Sequence, residues 1–79
     1  MIDITSDQCR AARGLVKLSQ GELASAANVS RATLADFERG VRTPHPNNLA
    51  AIRRALEAAG VEFIDGNDGG AGVRLRDPG

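Results

Sequence analysis

Hydrophobic residues recur at three- and four-residue spacing up to Gly60, and beyond it they alternate with polar residues. The first pattern predicts four short helices, each bounded by a capping residue or by a glycine. We place these helices from Thr5 or Ser6 through Leu15, from Ser19 to Ala27, from Arg31 to Arg39, and from Pro46 to the residue before Gly60.

Two of these helices are joined by a very short turn. Ser19-Gln20-Gly21-Glu22 has the form of a capping box, which marks a helix start. Asn28 tolerates the left-handed conformation of a tight turn, and Ser30 can cap the helix that follows. Leu34 and Phe37 then fall on one face of that third helix. The sequence therefore predicts two helices separated by a three-residue turn.

The last part of the chain reads as a hairpin. Val61 and Phe63 fall on one face of a short strand, and residues 73–76 alternate in the same way. The segment 65–72 between them is rich in glycine, aspartate and asparagine, which predicts a turn. Since a two-stranded hairpin is marginal alone in water, we expect it to pack on the helices or to add to a second chain. The chain thus divides into a helical domain, residues 1–60, and a C-terminal hairpin extension, residues 61–79, which is a candidate dimer contact.

The composition narrows the function classes. A chain of 79 residues has room for one small domain, and its single cysteine, Cys9, excludes an internal disulfide. With His45 as the only histidine we expect no metal site, and no other signal predicts a cofactor. Serine, histidine and aspartate occur without the context of a catalytic triad, so we expect no enzyme activity. No apolar run has the length of a bilayer span and no signal segment is evident, so we expect a cytoplasmic protein without a membrane partner.

Charge is balanced overall but unevenly distributed. Ten basic and ten acidic side chains give a net charge of zero, which argues against a non-specific polycation. Basic residues predominate in residues 30–54, whereas acidic residues predominate in residues 55–79. The third helix therefore lies within the basic part of the chain, and the predicted turn lies at its start.

Six short stretches around the turn together form one pattern of residues with a fixed order and spacing. They are Leu18-Ser19-Gln20, Glu22-Leu23-Ala24, Val29-Ser30-Arg31, Thr33-Leu34, Glu38-Arg39-Gly40 and Arg42-Thr43-Pro44. In this set the chain resembles the lambda-repressor/Cro-like (XRE-type) helix-turn-helix family over roughly residues 6–60. Asn28 departs from the glycine usual in the family, and Gly21 from a longer polar residue. The resemblance implies an all-α fold, a compact bundle of four to five short helices containing the helix-turn-helix, to which the hairpin is added.

The third helix carries the candidate residues for reading DNA bases. A short polar helix after a tight turn can enter the major groove. Arg31 can reach O6 and N7 of guanine with two parallel bonds, and Ala32 can touch a thymine methyl group. Thr33 can bond a base edge or a phosphate, and Asp36 can accept from a cytosine amino group, although its charge would also repel phosphates.

A second set of residues is predicted to hold the DNA backbone. Gln20 and the free N–H groups at both helix starts are placed to bond phosphates. The full set is Ser19, Gln20, Ser30, Arg39, Arg42, Thr43, Asn47 and Asn48. The family pattern also implies a structural ion pair between Arg13 and Glu38, which would orient the helices without touching DNA.

These observations predict a sequence-specific DNA-binding transcriptional regulator, such as a repressor. Because one small domain buries only roughly 600–1,000 Å² on DNA, we expect it to bind double-stranded DNA as a homodimer on an inverted repeat. The alternative is a helix-turn-helix scaffold that binds another regulatory protein, as an antiactivator or antitoxin would. Zero net charge, the acidic tail and Asp36 favour this alternative, since each weakens attraction to a polyanion.

Overall fold

The computed structural model describes residues 4–66 and 70–76. Within them the chain forms four helices followed by two strands. They are α1 (Ser6–Val16), α2 (Gln20–Ala27), α3 (Arg31–Glu38), α4 (Pro46–Ala58), β1 (Val61–Ile64) and β2 (Gly72–Leu75). The predicted fold class, a small helical bundle with a C-terminal hairpin, is confirmed.

The helix starts are fixed by side chains that accept backbone N–H groups. Thr5 forms a capping box with Gln8, and Ser19 forms one with Glu22. The hydroxyl of Ser30 accepts an N–H from the first turn of α3, at 3.0 Å. These local contacts explain why the capping residues alone predicted most of the boundaries.

Both turns that flank α2 depend on left-handed backbone at a residue other than glycine. Lys17 ends α1 with φ of 59°, and Asn28 ends α2 with φ of 57°. The backbone N–H of Asn28 bonds the carbonyl of Ser25 at 3.1 Å, which closes the end of α2. Asn28 thus has the turn conformation expected for it, and only two residues separate it from α3.

The core lies between the helices and beneath the hairpin. Leu34 and Phe37 on α3 are buried, as the pattern predicted. The other buried apolar residues are Ile4, Cys9, Ala12, Leu23, Ala24, Ala27, Leu49, Ile52, Leu56 and Val61. No helix within the described residues has the length and apolar character needed to cross a membrane.

The hairpin packs mainly against α1 and α4. The two strands pair antiparallel, with Val61 opposite Leu75 and Ile64 opposite Gly72. The side-chain amide of Gln8 donates to the Gly72 carbonyl at 3.1 Å and approaches the Ile64 carbonyl at 3.4 Å. The centre of the predicted turn, residues 67–69, and both chain ends, residues 1–3 and 77–79, lie outside the described residues.

Candidate nucleic-acid interface

Helix α3 has a buried side and a solvent-facing start. Leu34, Phe37 and Glu38 point into the bundle and are almost inaccessible. Arg31 and Ala32, in the first turn, are exposed. Arg31 has no ion-pair or hydrogen-bond partner within the described part of the chain. The structure therefore leaves these two side chains free to meet a ligand that approaches the start of the helix.

Thr33 is held by the cap of the same helix. The hydroxyl of Ser30 donates to Thr33 Oγ1 at 2.8 Å and accepts the Thr33 backbone N–H at 3.0 Å. This arrangement uses Thr33 Oγ1 as an acceptor, so its own proton remains available to donate. Ser30 and Thr33 are thus fixed in orientation, with Thr33 partly buried.

Asp36 and Arg39 form an ion pair on the surface of α3. Arg39 Nη2 lies 2.5 Å from Asp36 Oδ1, one helical turn away. The sequence assigned Asp36 to base reading and Arg39 to a DNA phosphate, and the structure joins them to each other instead of leaving them as independent groups. The pairing balances the negative charge of Asp36, which lessens its repulsion of a polyanion.

The end of α3 is anchored by a buried carboxylate. Glu38 is only 2% exposed, and it accepts from Arg13 Nε at 2.8 Å and from Arg13 Nη2 at 2.7 Å. The ion pair implied for Arg13 and Glu38 is therefore present, and it is bidentate. Gln20 Nε2 donates to the same carboxylate at 2.9 Å, and the Cys9 thiol donates at 3.2 Å. We call Glu38, Arg13, Gln20 and Cys9 the Glu38 cluster; it joins α1, α2 and α3.

The cluster determines the ionisation of its members. Burial by itself would raise the pKa of Glu38, but hydrogen bonds from Arg13, Gln20 and Cys9 outweigh it and the pKa is lowered. The hydrogen bond to Glu38 raises the pKa of Arg13. Burial, together with the hydrogen bond to Glu38 and its charge, raises the pKa of the Cys9 thiol well above its ordinary range. The carboxylate is thus held ionised and the thiol is held neutral.

Two members of the Glu38 cluster were not identified from the sequence. Gln20 was expected to bond a phosphate, whereas one of its amide N–H groups is used within the protein, 18 positions away in sequence. Cys9 was used only to exclude an internal disulfide, and its partner lies 29 positions away. Helical spacing shows contacts within one element only, so no local signal marked these contacts.

The connection from α3 to α4 and the first turn of α4 carry four more of the predicted residues. Arg42, Thr43, Asn47 and Asn48 are all exposed. His45 caps α4 through Nδ1, which accepts the Asn47 backbone N–H at 3.1 Å. Arg42 and Thr43 also line an open cavity of about 320 Å³ that reaches the start of α1. The segment that follows α3 therefore presents exposed polar side chains to solvent.

Ser19 is the exposed N-cap residue of α2, and it forms a capping box with Glu22. Its backbone N–H donates to Glu22 Oε1 at 2.8 Å, and its hydroxyl accepts the Glu22 N–H at 3.0 Å.

Within residues 4–66 and 70–76, no three histidine, cysteine, aspartate or glutamate side chains are grouped so that they could hold a metal ion.

Comparison with known proteins places these features in a wider group. A model of the helix-turn-helix family matches residues 10–63. No match is found among curated proteins. Among solved structures, the chain is similar to the DNA-binding domain of the P22 c2 repressor, with 28% identity and a TM-score of 0.63 over 72% of this chain and 75% of that one. It is also similar to the wild-type restriction-modification controller protein C.Esp1396I, with 27% identity and a TM-score of 0.62 over 66% of this chain and 68% of that one.

Proposed function

This chain belongs to the helix-turn-helix family, and on that premise we propose that it is a sequence-specific DNA-binding transcription regulator that inserts α3 into the major groove. The likeness to the DNA-binding domain of a repressor and to a controller protein supports a regulatory role in preference to a catalytic one. The observation that carries the proposal is the exposed first turn of α3, with Arg31 unpaired among the described residues. The far end of the same helix is fixed by the Glu38 cluster.

Base reading is assigned to the first turn. Arg31 forms two parallel bonds to guanine, Ala32 packs on a thymine methyl group, and Thr33 donates its free hydroxyl proton. The ion pair of Asp36 and Arg39 sits one turn further along. On DNA this pair can divide, with Asp36 accepting from a cytosine amino group and Arg39 moving to a phosphate.

Backbone contacts are assigned to the edges of this surface. The starts of α2 and α3, at Ser19 and Ser30, present N–H groups suited to phosphate oxygens. Gln20 takes part through the amide N–H that Glu38 does not use. The exposed polar residues after α3 complete the set: Arg42, Thr43, Asn47 and Asn48.

We further propose that the protein binds as a homodimer on an inverted repeat. One module of this size buries roughly 600–1,000 Å² on DNA, which is small for specific binding. A dimer doubles that area and reads two half-sites about one helical turn apart. The hairpin packs on α1 and α4, which leaves the exposed start of α3 uncovered for DNA.

The test begins with selection of bound duplexes from a random pool, followed by titration of the selected site. Arg31→Ala should weaken binding to that site roughly tenfold to a hundredfold and should relax the preference at one base position. Arg54→Ala is the matched control, because Arg54 is an exposed arginine outside the proposed interface and its loss removes the same charge. We expect its effect to be much smaller.

Two results would contradict the proposal. One is a wild-type protein that selects no preferred sequence, and the other is an Arg31→Ala protein that binds the selected site as tightly as the wild type does. Salt separates DNA binding from the alternative of a protein-binding scaffold. Affinity for DNA should fall steeply as salt rises, whereas an apolar protein interface should change little.

A further inference from the structure

The outer edge of β2 is open. The backbone N–H of Arg76 bonds the Gly60 carbonyl at 2.8 Å across the hairpin. Because bonded and non-bonded pairs alternate along an antiparallel ladder, the backbone N–H and C=O groups of Val73 and Leu75 point away from β1. No residue in the described part of the chain bonds them. The outer edge of β1 differs, because Arg76 Nη2 approaches the Val61 carbonyl there at 3.5 Å.

We propose that β2 pairs with β2 of a second copy of this chain, antiparallel and about a two-fold axis at Val73. The two hairpins then form one four-stranded sheet, with the helices of both copies on the same side. This inference rests on the proposed homodimer and gives that dimer its interface. An open strand edge is suited to this kind of pairing, since each new ladder bond satisfies an exposed backbone group.

The charge and size of the β2 side chains favour one register of β2 against β2 of the second copy. With Val73 on the axis, Arg74 lies opposite Gly72 of the second copy. With Arg74 on the axis, two arginines would lie directly opposite each other, which is destabilising. With Leu75 on the axis, Arg74 would face Arg76 of the second copy. Pairings centred closer to the turn would bring the glycine-rich turn, not the strand, against the partner.

A groove beside β2 can hold the Leu75 side chain of the second copy in this register. It has a volume of about 440 Å³ and lies between α1 and β2, lined in part by Gln8, Ala11, Ala71 and Val73. Residues 71, 73 and 75 share the helix-facing side of the hairpin. The register sets Leu75 of the second copy opposite Ala71, at this groove. In the monomer Leu75 is 40% exposed, so pairing would remove an apolar side chain from solvent.

The surroundings are compatible with this approach. Ala11, Gly14 and Leu15 are exposed on α1, and two of them are small enough to let a second α1 come close beneath the joined sheet. Arg74 is already paired with Glu62 of its own hairpin, and in this register it lies opposite Gly72 of the second copy, so no arginine faces it. The interface thus combines backbone pairing with one apolar contact on each side.

The first test compares two substitutions of equally exposed hydrophobic residues on opposite faces of the hairpin. Leu75 and Ile64 are 40% and 38% exposed. Sedimentation velocity without DNA should show a concentration-dependent dimer for the wild type. Leu75→Gln should raise the dimer dissociation constant about a hundredfold, because the contact is lost twice in a symmetric dimer. Ile64→Gln, on the face turned away from the helices, should remain dimeric.

The second test checks the register by disulfide formation. Gly72→Cys and Arg74→Cys should crosslink when the two variants are mixed, because a non-hydrogen-bonded pair has Cα atoms about 4.5 Å apart. Neither variant should crosslink alone. A Cβ at Gly72 would meet only Ile64 Cδ1, at 3.8 Å, so the substitution fits. The natural thiol of Cys9 is fully buried and does not compete.

The outcomes separate this interface from DNA binding. A monomeric wild type, equal effects of Leu75→Gln and Ile64→Gln, or crosslinking of Arg74→Cys with itself would each overturn the pairing. The expected pattern of dissociation and mixed crosslinking would support it. Binding of a single half-site duplex tests the function of α3 separately, so a failed interface with a working Arg31 remains distinguishable from the reverse.

Discussion

Helix α3 and the C-terminal hairpin are attached to the same bundle by different kinds of contact. The end of α3 is tied to α1 and α2 by one buried carboxylate that accepts four hydrogen bonds from three side chains. The hairpin rests on the bundle through Val61 and Phe63, and through the amide of Gln8. The hydrogen bonds of α3 converge on one buried carboxylate, whereas the hairpin is held by apolar contact and by separate hydrogen bonds from Gln8 to Gly72 and from Arg76 to Glu57.

The ion pairs of the two regions also differ, in how far each pair is buried. The Glu38–Arg13 pair is almost fully removed from water on the carboxylate side. The Glu62–Arg74 pair on the hairpin has an N–O distance of 2.5 Å, but both side chains are well exposed. Buried pairs are costly to break and exposed pairs contribute little. The contrast therefore predicts a wide range of mutational effects within one small domain.

The largest effect is expected from Glu38→Gln. The change keeps the shape of the side chain but leaves Arg13 without its charged partner, at a cost of about 3 kcal/mol in the free energy of unfolding. Urea denaturation followed by circular dichroism measures it. A loss below about 1 kcal/mol would mean that the buried pair holds α3 no better than a surface pair does.

The same carboxylate should govern unfolding in acid. Because the pKa of Glu38 is lowered in the folded protein, its contribution to stability is present above the ordinary glutamate pKa and is lost as pH falls through the folded value. The wild type should lose stability across that acidic range, and Glu38→Gln should lose less. Parallel denaturation curves of the two proteins across the range would contradict the assignment.

An intermediate effect is expected from Gln8→Ala. The change removes the side-chain half of the capping box of α1, in which Gln8 accepts the Thr5 N–H, and the bonds to the hairpin carbonyls, at a cost of about 1–2 kcal/mol. Hydrogen exchange should show the hairpin amides losing protection more than those of α3. Equal loss in both regions would indicate that the two are not separately anchored.

A smaller effect is expected at Cys9 in alkali. The pKa of the thiol is raised in the folded protein, so stability should be complete below the ordinary cysteine pKa and should decline as pH rises above it. Cys9→Ala should abolish this decline. In the native wild type, the thiol should react with alkylating reagents only as fast as the protein opens. Rapid alkylation of the folded protein at neutral pH would disprove the burial argument.

The smallest effect is expected from Glu62→Gln. This change breaks the exposed pair with Arg74, and we expect less than about 1 kcal/mol in the free energy of unfolding. The same denaturation assay applies, with Glu38→Gln measured beside it. Equal losses at the two glutamates would remove the distinction between the two regions.

Most of the fold was predictable because it depends on local chemistry. Thr5, Ser19 and Ser30 cap helices within their own first turns, and the alternation after Gly60 gave the hairpin. The Asp36–Arg39 pair was also within reach of the sequence, since residues three apart on a helix are neighbours. We assigned the two residues separate roles instead.

The remaining features depend on tertiary contacts between distant residues. Gln8 contacts the hairpin more than fifty positions away, and neither its burial nor its partners follow from spacing in α1. Gln20 and Cys9 meet Glu38 only because three helices converge. The Arg13–Glu38 pair was expected through family resemblance, and without it the two charges would have looked unrelated.

The anchoring of α3 from its far end has a consequence for how such a protein can diversify. Arg31 and Ala32 are exposed, and no hydrogen bond or ion pair in the described part of the chain joins them to the Glu38 cluster, so replacing them should alter the folding free energy by no more than about 0.5 kcal/mol. The two residues proposed to read DNA can therefore be exchanged while the scaffold stays constant. A library randomised at these two positions should yield folded proteins with new preferences, without compensating changes elsewhere.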